Sequence, residues 1–292
     1  MSPQEIFNNF CTKTSELILL QRAARSNSDK NLENLHEAKK REALQDSPYE
    51  NIPRSINRMF FYSAKTNELL SYGKKAQNID DQINFELQHR NKQYQWILAE
   101  AYEIFEDYIE ELYADIGFRD KNFWPLSDYG ALTLHEIYKL NNEWHLNYTK
   151  ERKKNKPSSI LIQFRKKLGD LEKLEKTNCQ NVNFRFAITF IEKLRHAIVH
   201  NNGRIDNKEK FIEKTLNESN INTPEKEKYR NTINSYIPPS NDNLIKLLER
   251  AGHPDIPFSY NDTLEEIIKV LVTYAHLLAD CLSGHQSEPL TP

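Results

Sequence analysis

The sequence predicts an all-α protein, a bundle of amphipathic helices, and three observations carry that expectation. The 292 residues include only 7 glycines, and the chain is rich in Leu, Ile, Glu and Lys, residues that cost little in a helix. Apolar residues recur at spacings of three and four over several stretches, the 3.6-residue period of a helix with one buried face. No run of four or more residues shows the period-2 alternation of a half-buried strand.

The elements follow in order. Gln4 to Arg25 reads as a first helix with Ile6, Phe10, Leu17 and Leu20 inward, followed by a polar break at Ser26 to Lys30. Asn31 to Ala43 is helical but poor in apolar residues, and Ser47 to Pro53, with two prolines, is a loop. Ile56 to Gly73 is expected as a helix ended by its glycine. The strongest helix covers Phe85 to Ile116, with Ile97, Ala101, Phe105, Tyr108 and Leu112 on one stripe. A loop at Asn122 to Pro125 precedes a helix over Tyr129 to Leu146, capped by Ser127 or Asp128. Ser158 to Leu174 reads as a basic helix, and a further helix begins near Val182. Lys208 to Glu218 is helical, Ser219 to Pro239 is loop-rich, and Asn243 to Arg250 is a short helix. Asp262 to Leu282 closes the chain, with Thr263 and Glu266 as a capping box. The domain division expected is a helical extension, 1–84, followed by a helical domain, 85–292.

The formal net charge is −2, so no global field draws the chain to nucleic acid. The local distribution is uneven. Lys150 to Lys176 holds ten basic residues against four acidic ones, and Glu100 to Ile116 holds seven acidic residues and no basic one. Either is explained most simply by a solvated helix face; the basic stretch could alternatively guide RNA phosphates through Lys153, Lys154, Arg165 and Lys166. Cys11, Cys179 and Cys281 are odd in number and far apart, which argues for reduced thiols in a cytoplasmic setting. No signal-peptide pattern opens the chain, and no apolar run approaches the ~20 residues that span a bilayer, so no membrane partner is expected.

The informative stretch is Glu192 to Asp206, EKLRHAIVHNNGRID. Phe184, Ala187, Ile188, Ile191, Leu194 and Ile198 form a buried stripe beneath it, and Asn201, Asn202 and Gly203 end the helix. Two polar spacings overlap here. Glu192, His196 and His200 are each four apart and share one helix edge, so they could chelate a metal ion. No fourth ligand is visible, and HxxxH is common on solvated faces. Arg195 and His200, with four residues between them, sit ~140° apart on an ideal helix. They meet only if the helix frays at Asn201 to Gly203 or if the helix faces another copy of itself.

Arg195, the polar His196, and then His200, on an amphipathic helix of an all-α chain, resemble the ribonuclease motif of the HEPN superfamily. AEAYEIFEDYIEEL (Ala99 to Leu112) is similar to the first core helix of one group of that superfamily, and LEEIIKVLVTYAHLLADCL (Leu264 to Leu282) to its last. The resemblance covers roughly residues 85 to 290. It implies a HEPN-type helical bundle and a metal-independent endoribonuclease that leaves 2′,3′-cyclic phosphate and 5′-OH ends, with no cofactor. Arg195 and His200 would be catalytic, with His196, Asn201 and Asn202 supporting. It also implies a homodimer with a composite active site, RNA as substrate, and a role as a toxin or antiviral effector with an antitoxin or defence-system partner. The rival reading is a non-catalytic helical module that binds protein or nucleic acid.

Overall fold

The computed structural model describes residues 2–44, 53–155, 159–238, 243–251 and 260–285. Its helices are α1 (Pro3–Leu44), α2 (Ile79–Arg119), α3 (Leu134–Lys139), α4 (Asn142–Asn155), α5 (Ser159–Lys167), α6 (Leu171–Lys176), α7 (Phe184–Asn201), α8 (Lys208–Glu218), α9 (Lys226–Tyr236) and α10 (Thr263–Ser283). Its strands are β1 (Ser55–Tyr62), β2 (Leu69–Gln77), β3 (Arg250–Ala251) and β4 (Tyr260–Asn261); β1 pairs with β2 and β3 with β4, both antiparallel. The protein is predominantly helical, as the apolar spacing requires. None of the described helices is long and apolar enough to cross a membrane.

The chain forms two compact units, Met1–Ile18 with Gln95–Pro292, and Leu19–Tyr94. The larger unit is built on aromatic and aliphatic side chains from α2, α7 and α10. Leu98, Phe105, Leu112, Leu194, Leu271 and Tyr274 are all fully buried. The Tyr108 hydroxyl donates to the Ala275 carbonyl at 2.6 Å, tying α2 to α10. Phe10 of α1 packs against Tyr108 at 4.9 Å between ring centroids. A buried polar triad fastens α5, α6 and α10: Arg165 forms a two-pronged ion pair with the fully buried Glu175, which accepts from the Tyr274 hydroxyl at 2.5 Å. Burial and the adjoining Glu175 carboxylate push the Tyr274 hydroxyl well above the usual phenol range.

In the smaller unit, Asn78 and Asp81 cap α2 reciprocally at 2.8 and 3.0 Å. Arg90 pairs with Asp29 at 2.5 Å, which joins α2 to α1 within this unit. β1 and β2 form a hairpin closed at Ser63 to Glu68, with Asn67 in the left-handed region at φ 57°.

Several expectations give way. Ile56 to Gly73 is strand, turn and strand rather than helix. Met59, Phe60, Phe61 and Tyr62 are β-favouring side chains, and Gly73, at φ +64°, marks a bulge in β2 rather than a helix end. Both hairpin faces are apolar, which hid the period-2 signal. The break expected at Ser26 to Lys30 is absent, because α1 runs through it. The helix expected over Tyr129 to Leu146 is two, since Thr133 makes a capping box with Glu136 and starts α3 afresh. The basic helix is likewise split at Gly169–Asp170 into α5 and α6. Ser219 to Pro239 contains α9. Asn243 to Arg250 is not helical; it contributes a bridge to Arg204 and the strand β3. The α10 cap is Asp262, accepting from the Glu265 amide, in place of a Thr263 capping box. Residues 45–52, which hold most of the expected Ser47 to Pro53 loop, lie outside the described residues.

Candidate functional site

The motif helix α7 starts where the Asn183 side chain accepts from the Phe186 amide. Its buried side chains run from Phe184 through Ile188, Ile191 and Leu194 to Ile198, a stripe that fixes the opposite face toward solvent. The helix is intact through Asn201. Asn202 then enters the left-handed region at φ 54°, and the amides of Asn202 and Gly203 both close on the Ala197 carbonyl. His200 therefore belongs to the last helical turn, and no fraying precedes it.

Gly203 is needed for two reasons. Its φ is +77°, and a Cβ there would lie 2.3 Å from Gln95 Oε1. Gln95 is fully buried and its Nε2 donates to the Ile245 carbonyl at 2.8 Å. The Ile245 amide in turn donates to the Gly203 carbonyl at 2.9 Å. The end of α7 is thus clamped between α2 and the extended segment around Ile245. Sequence reasoning missed Gln95: its partner is 150 residues away and nothing local marks it.

α2 runs antiparallel to α7 beside the motif. Gln95 lies under Gly203, and Glu103, eight residues on, pairs with Arg195, eight residues back. Arg195 is partly buried, with its side chain 25% exposed. Its terminal nitrogen meets the Glu103 carboxylate, while its Nε is buried without a hydrogen-bond partner. Tyr102 completes this side. Burial first, then the charges of Glu192 and Glu106, push its hydroxyl well above the usual phenol range, with Arg195 opposing.

His196 and His200 are exposed, and their rings lie 4.5 Å apart between centroids. Partial burial holds the His196 pKa below its ordinary value, helped by the nearby charges of His200, Lys193, Lys214 and Arg195. His196 is consequently neutral at neutral pH and able to accept a proton. Within one protomer the structure brings His196 to His200 and Glu103 to Arg195. It leaves Arg195 and His200 on different sides of a regular helix.

Asn201 and Asn202 are exposed at the helix end, with Asn202 serving as the left-handed cap. Among the described residues no three His, Cys, Asp or Glu side chains gather as a metal-binding group, Glu192 with His196 and His200 included. Glu192 faces Lys193 instead, at 3.6 Å. No protein-family model, curated protein or solved structure matches the chain.

The basic stretch divides. Arg165 is held by Glu175 in the buried triad, with its side chain 17% exposed. Lys166 is exposed on α5. The side chains of Lys153 and Lys154 lie outside those described. Beside the motif, Trp96 on α2 is 64% exposed and Val199 on α7 is 50% exposed.

Proposed function

We propose that the chain is a HEPN-type endoribonuclease that cleaves RNA without a metal, leaving 2′,3′-cyclic phosphate and 5′-OH ends. The observation that carries this reading is the last two turns of α7. They present an arginine and two solvent-facing imidazoles, one of them with its pKa held below the ordinary value, on a helix end that Gly203 and Gln95 fix in place. Cleavage of RNA by its own 2′-OH needs little else. A neutral imidazole takes the 2′-OH proton as the 2′ oxygen attacks phosphorus, a protonated one supplies the proton that leaves with the 5′ oxygen, and the guanidinium balances the charge on the phosphorane.

One protomer does not suffice, because Arg195 and His200 diverge around the helix. Two copies facing across a two-fold axis would bring together two arginines and two pairs of histidines. The exposed Trp96 and Val199 supply apolar surface for that contact. Release of such an activity inside a cell degrades its RNA, which fits a toxin or an antiviral effector kept in check by a partner.

The test is cleavage of a labelled RNA in the presence of EDTA. Activity that survives chelation and falls by at least 100-fold, the low end for losing a general acid–base group, in Arg195→Ala and in His200→Ala supports the reading. Products lacking the cyclic phosphate refute it. The Arg195–Glu103 pair favours a second reading, in which the cluster is a structural element of a non-catalytic binding module. A folded dimer that cleaves no RNA would favour that one.

A further inference from the structure

The β1–β2 hairpin is the most apolar exposed surface of the smaller unit. Met59, Phe61, Leu70 and Tyr72 lie on one face of the ribbon and Ile56, Phe60, Tyr62 and Leu69 on the other, by the pairing of β1 with β2. All eight are between 42% and 67% exposed. A lone two-stranded ribbon is at best marginal in water, and among the described residues β1 pairs with β2 alone, so its other edge is a template for a further strand. We infer that β1 pairs edge to edge with β1 of a second copy, giving a four-stranded antiparallel sheet across a two-fold axis.

The backbone selects the edge. The Ser63 amide donates to the Glu68 carbonyl at 2.9 Å, and the ladder alternates from there. Met59 and Phe61 therefore bond inward to β2, while the amides and carbonyls of Arg58, Phe60 and Tyr62 point away from it. The outer edge of β2 is guarded by the Gly73 bulge and by Lys74 and Lys75, the devices that keep edge strands apart. The outer edge of β1 has no proline, no glycine and a single charge, Arg58.

The sequence of β1 also complements itself. An antiparallel pair centred on Phe60 sets Phe60 against Phe60 of the second copy, Arg58 against Tyr62, and Met59 against Phe61. No like charges oppose, and each arginine meets an aromatic face. Other occupants fit less well. A stack of RNA bases would use aromatics on one face only, and a membrane wedge needs an apolar tip. Here the tip is polar and exposed, with Lys65, Thr66, Asn67 and Glu68.

The experiment is sedimentation of the full chain with crosslinking. Phe60→Lys combined with Tyr62→Lys, which sets lysine against arginine, halves the mass of the wild-type particle. In a Cys179→Ser background, Phe60→Cys forms a disulfide with its own copy under mild oxidation, because opposed residues of a hydrogen-bonded pair stand ~5.5 Å apart. Ser71→Cys, on β2, does not. An unchanged mass in the lysine variant, or no crosslink at position 60, overturns the inference. So does loss of oligo(U) or phosphatidylserine-vesicle binding in a Phe60→Ser, Tyr62→Ser variant of unchanged mass, which would assign the hairpin to that ligand. The pairing is independent of RNA cleavage: Arg195→Ala and His200→Ala leave the crosslink intact.

Discussion

Gly203→Ala tests whether the end of the motif helix is built as described. The backbone at Gly203 has φ +77°, and an added Cβ would stand 2.3 Å from Oε1 of Gln95 and 2.6 Å from its Cδ and Nε2. Left-handed backbone costs a residue with a Cβ about 1–2 kcal/mol. Gln95 must also move, and its bond to the Ile245 carbonyl, fully buried, is worth about 1–3 kcal/mol once left unmade. The expected loss is therefore about 2–5 kcal/mol. Urea unfolding of the variant reads it as a lower midpoint with an unchanged slope. Gly169→Ala, where a Cβ meets nothing within 4 Å, is the control and should stay within about 0.5 kcal/mol of wild type. Gln95→Ala should cost less in the Gly203→Ala background than alone, because the collision is then already relieved. A Gly203→Ala loss below about 0.5 kcal/mol, inside the range of a bland surface change, would refute the clamp.

Three further outcomes follow from the geometry. Glu103→Gln frees the Arg195 guanidinium from a partly exposed pair worth about 0.2–1 kcal/mol, so a non-cleavable 2′-deoxy oligonucleotide should bind about 1.5–5-fold more tightly by fluorescence anisotropy; unchanged or weaker binding contradicts the competition. His145 is fully buried among Phe118, Trp124 and Tyr129, and burial pushes its pKa down to about 4. The folded state thus binds this proton later than the unfolded chain, so stability is complete above about pH 6.5 and declines by about 3 kcal/mol as pH falls to about 4; His145→Gln should flatten that slope in unfolding curves taken across the interval, and an unaltered slope refutes the assignment. Arg165→Ala strands the fully buried Glu175 and should cost about 3–5 kcal/mol, measured by thermal unfolding, with no effect on RNA affinity; a loss of affinity without a loss of stability would restore Arg165 as a phosphate contact.

The sequence made the helical core legible because its stripes are long. Phe105, Leu112, Leu194 and Leu271 are buried as their spacing requires, and α8 has the expected bounds, Lys208 and Glu218. The hairpin was illegible for a physical reason. Period-2 reading needs one wet face, and the apolar residues of β1 and β2 occupy both. α9 was hidden by composition, since LysGluLysTyrArgAsnThrIleAsnSerTyr buries only Tyr229 and Ile233. At the site, the helix end was readable from Asn-Asn-Gly, and the neighbours were not. Glu103, Gln95 and Tyr102 reach the motif through tertiary register that no local pattern encodes.

The ion pair between Arg195 and Glu103 bears most directly on mechanism. A guanidinium meant only to hold α2 against α7 would gain from having all its donors met. Here Nε is buried and unpartnered while a terminal nitrogen takes the carboxylate. A planar fork with one prong bonded and another orphaned is a poor structural fastener, since a buried unmet donor costs about 1–3 kcal/mol. The buried Nε is out of a ligand's reach, so a phosphate would have to meet the part-exposed terminal nitrogens that now face Glu103. Glu103 would then act as a stand-in anion, keeping the charge satisfied until a phosphodiester displaces it. The two roles separate experimentally. If the pair is a fastener, Glu103→Gln lowers stability and leaves RNA affinity alone. If it is a placeholder, the same change tightens RNA binding at little cost in stability, and inorganic phosphate competes less well against the wild type than against the variant.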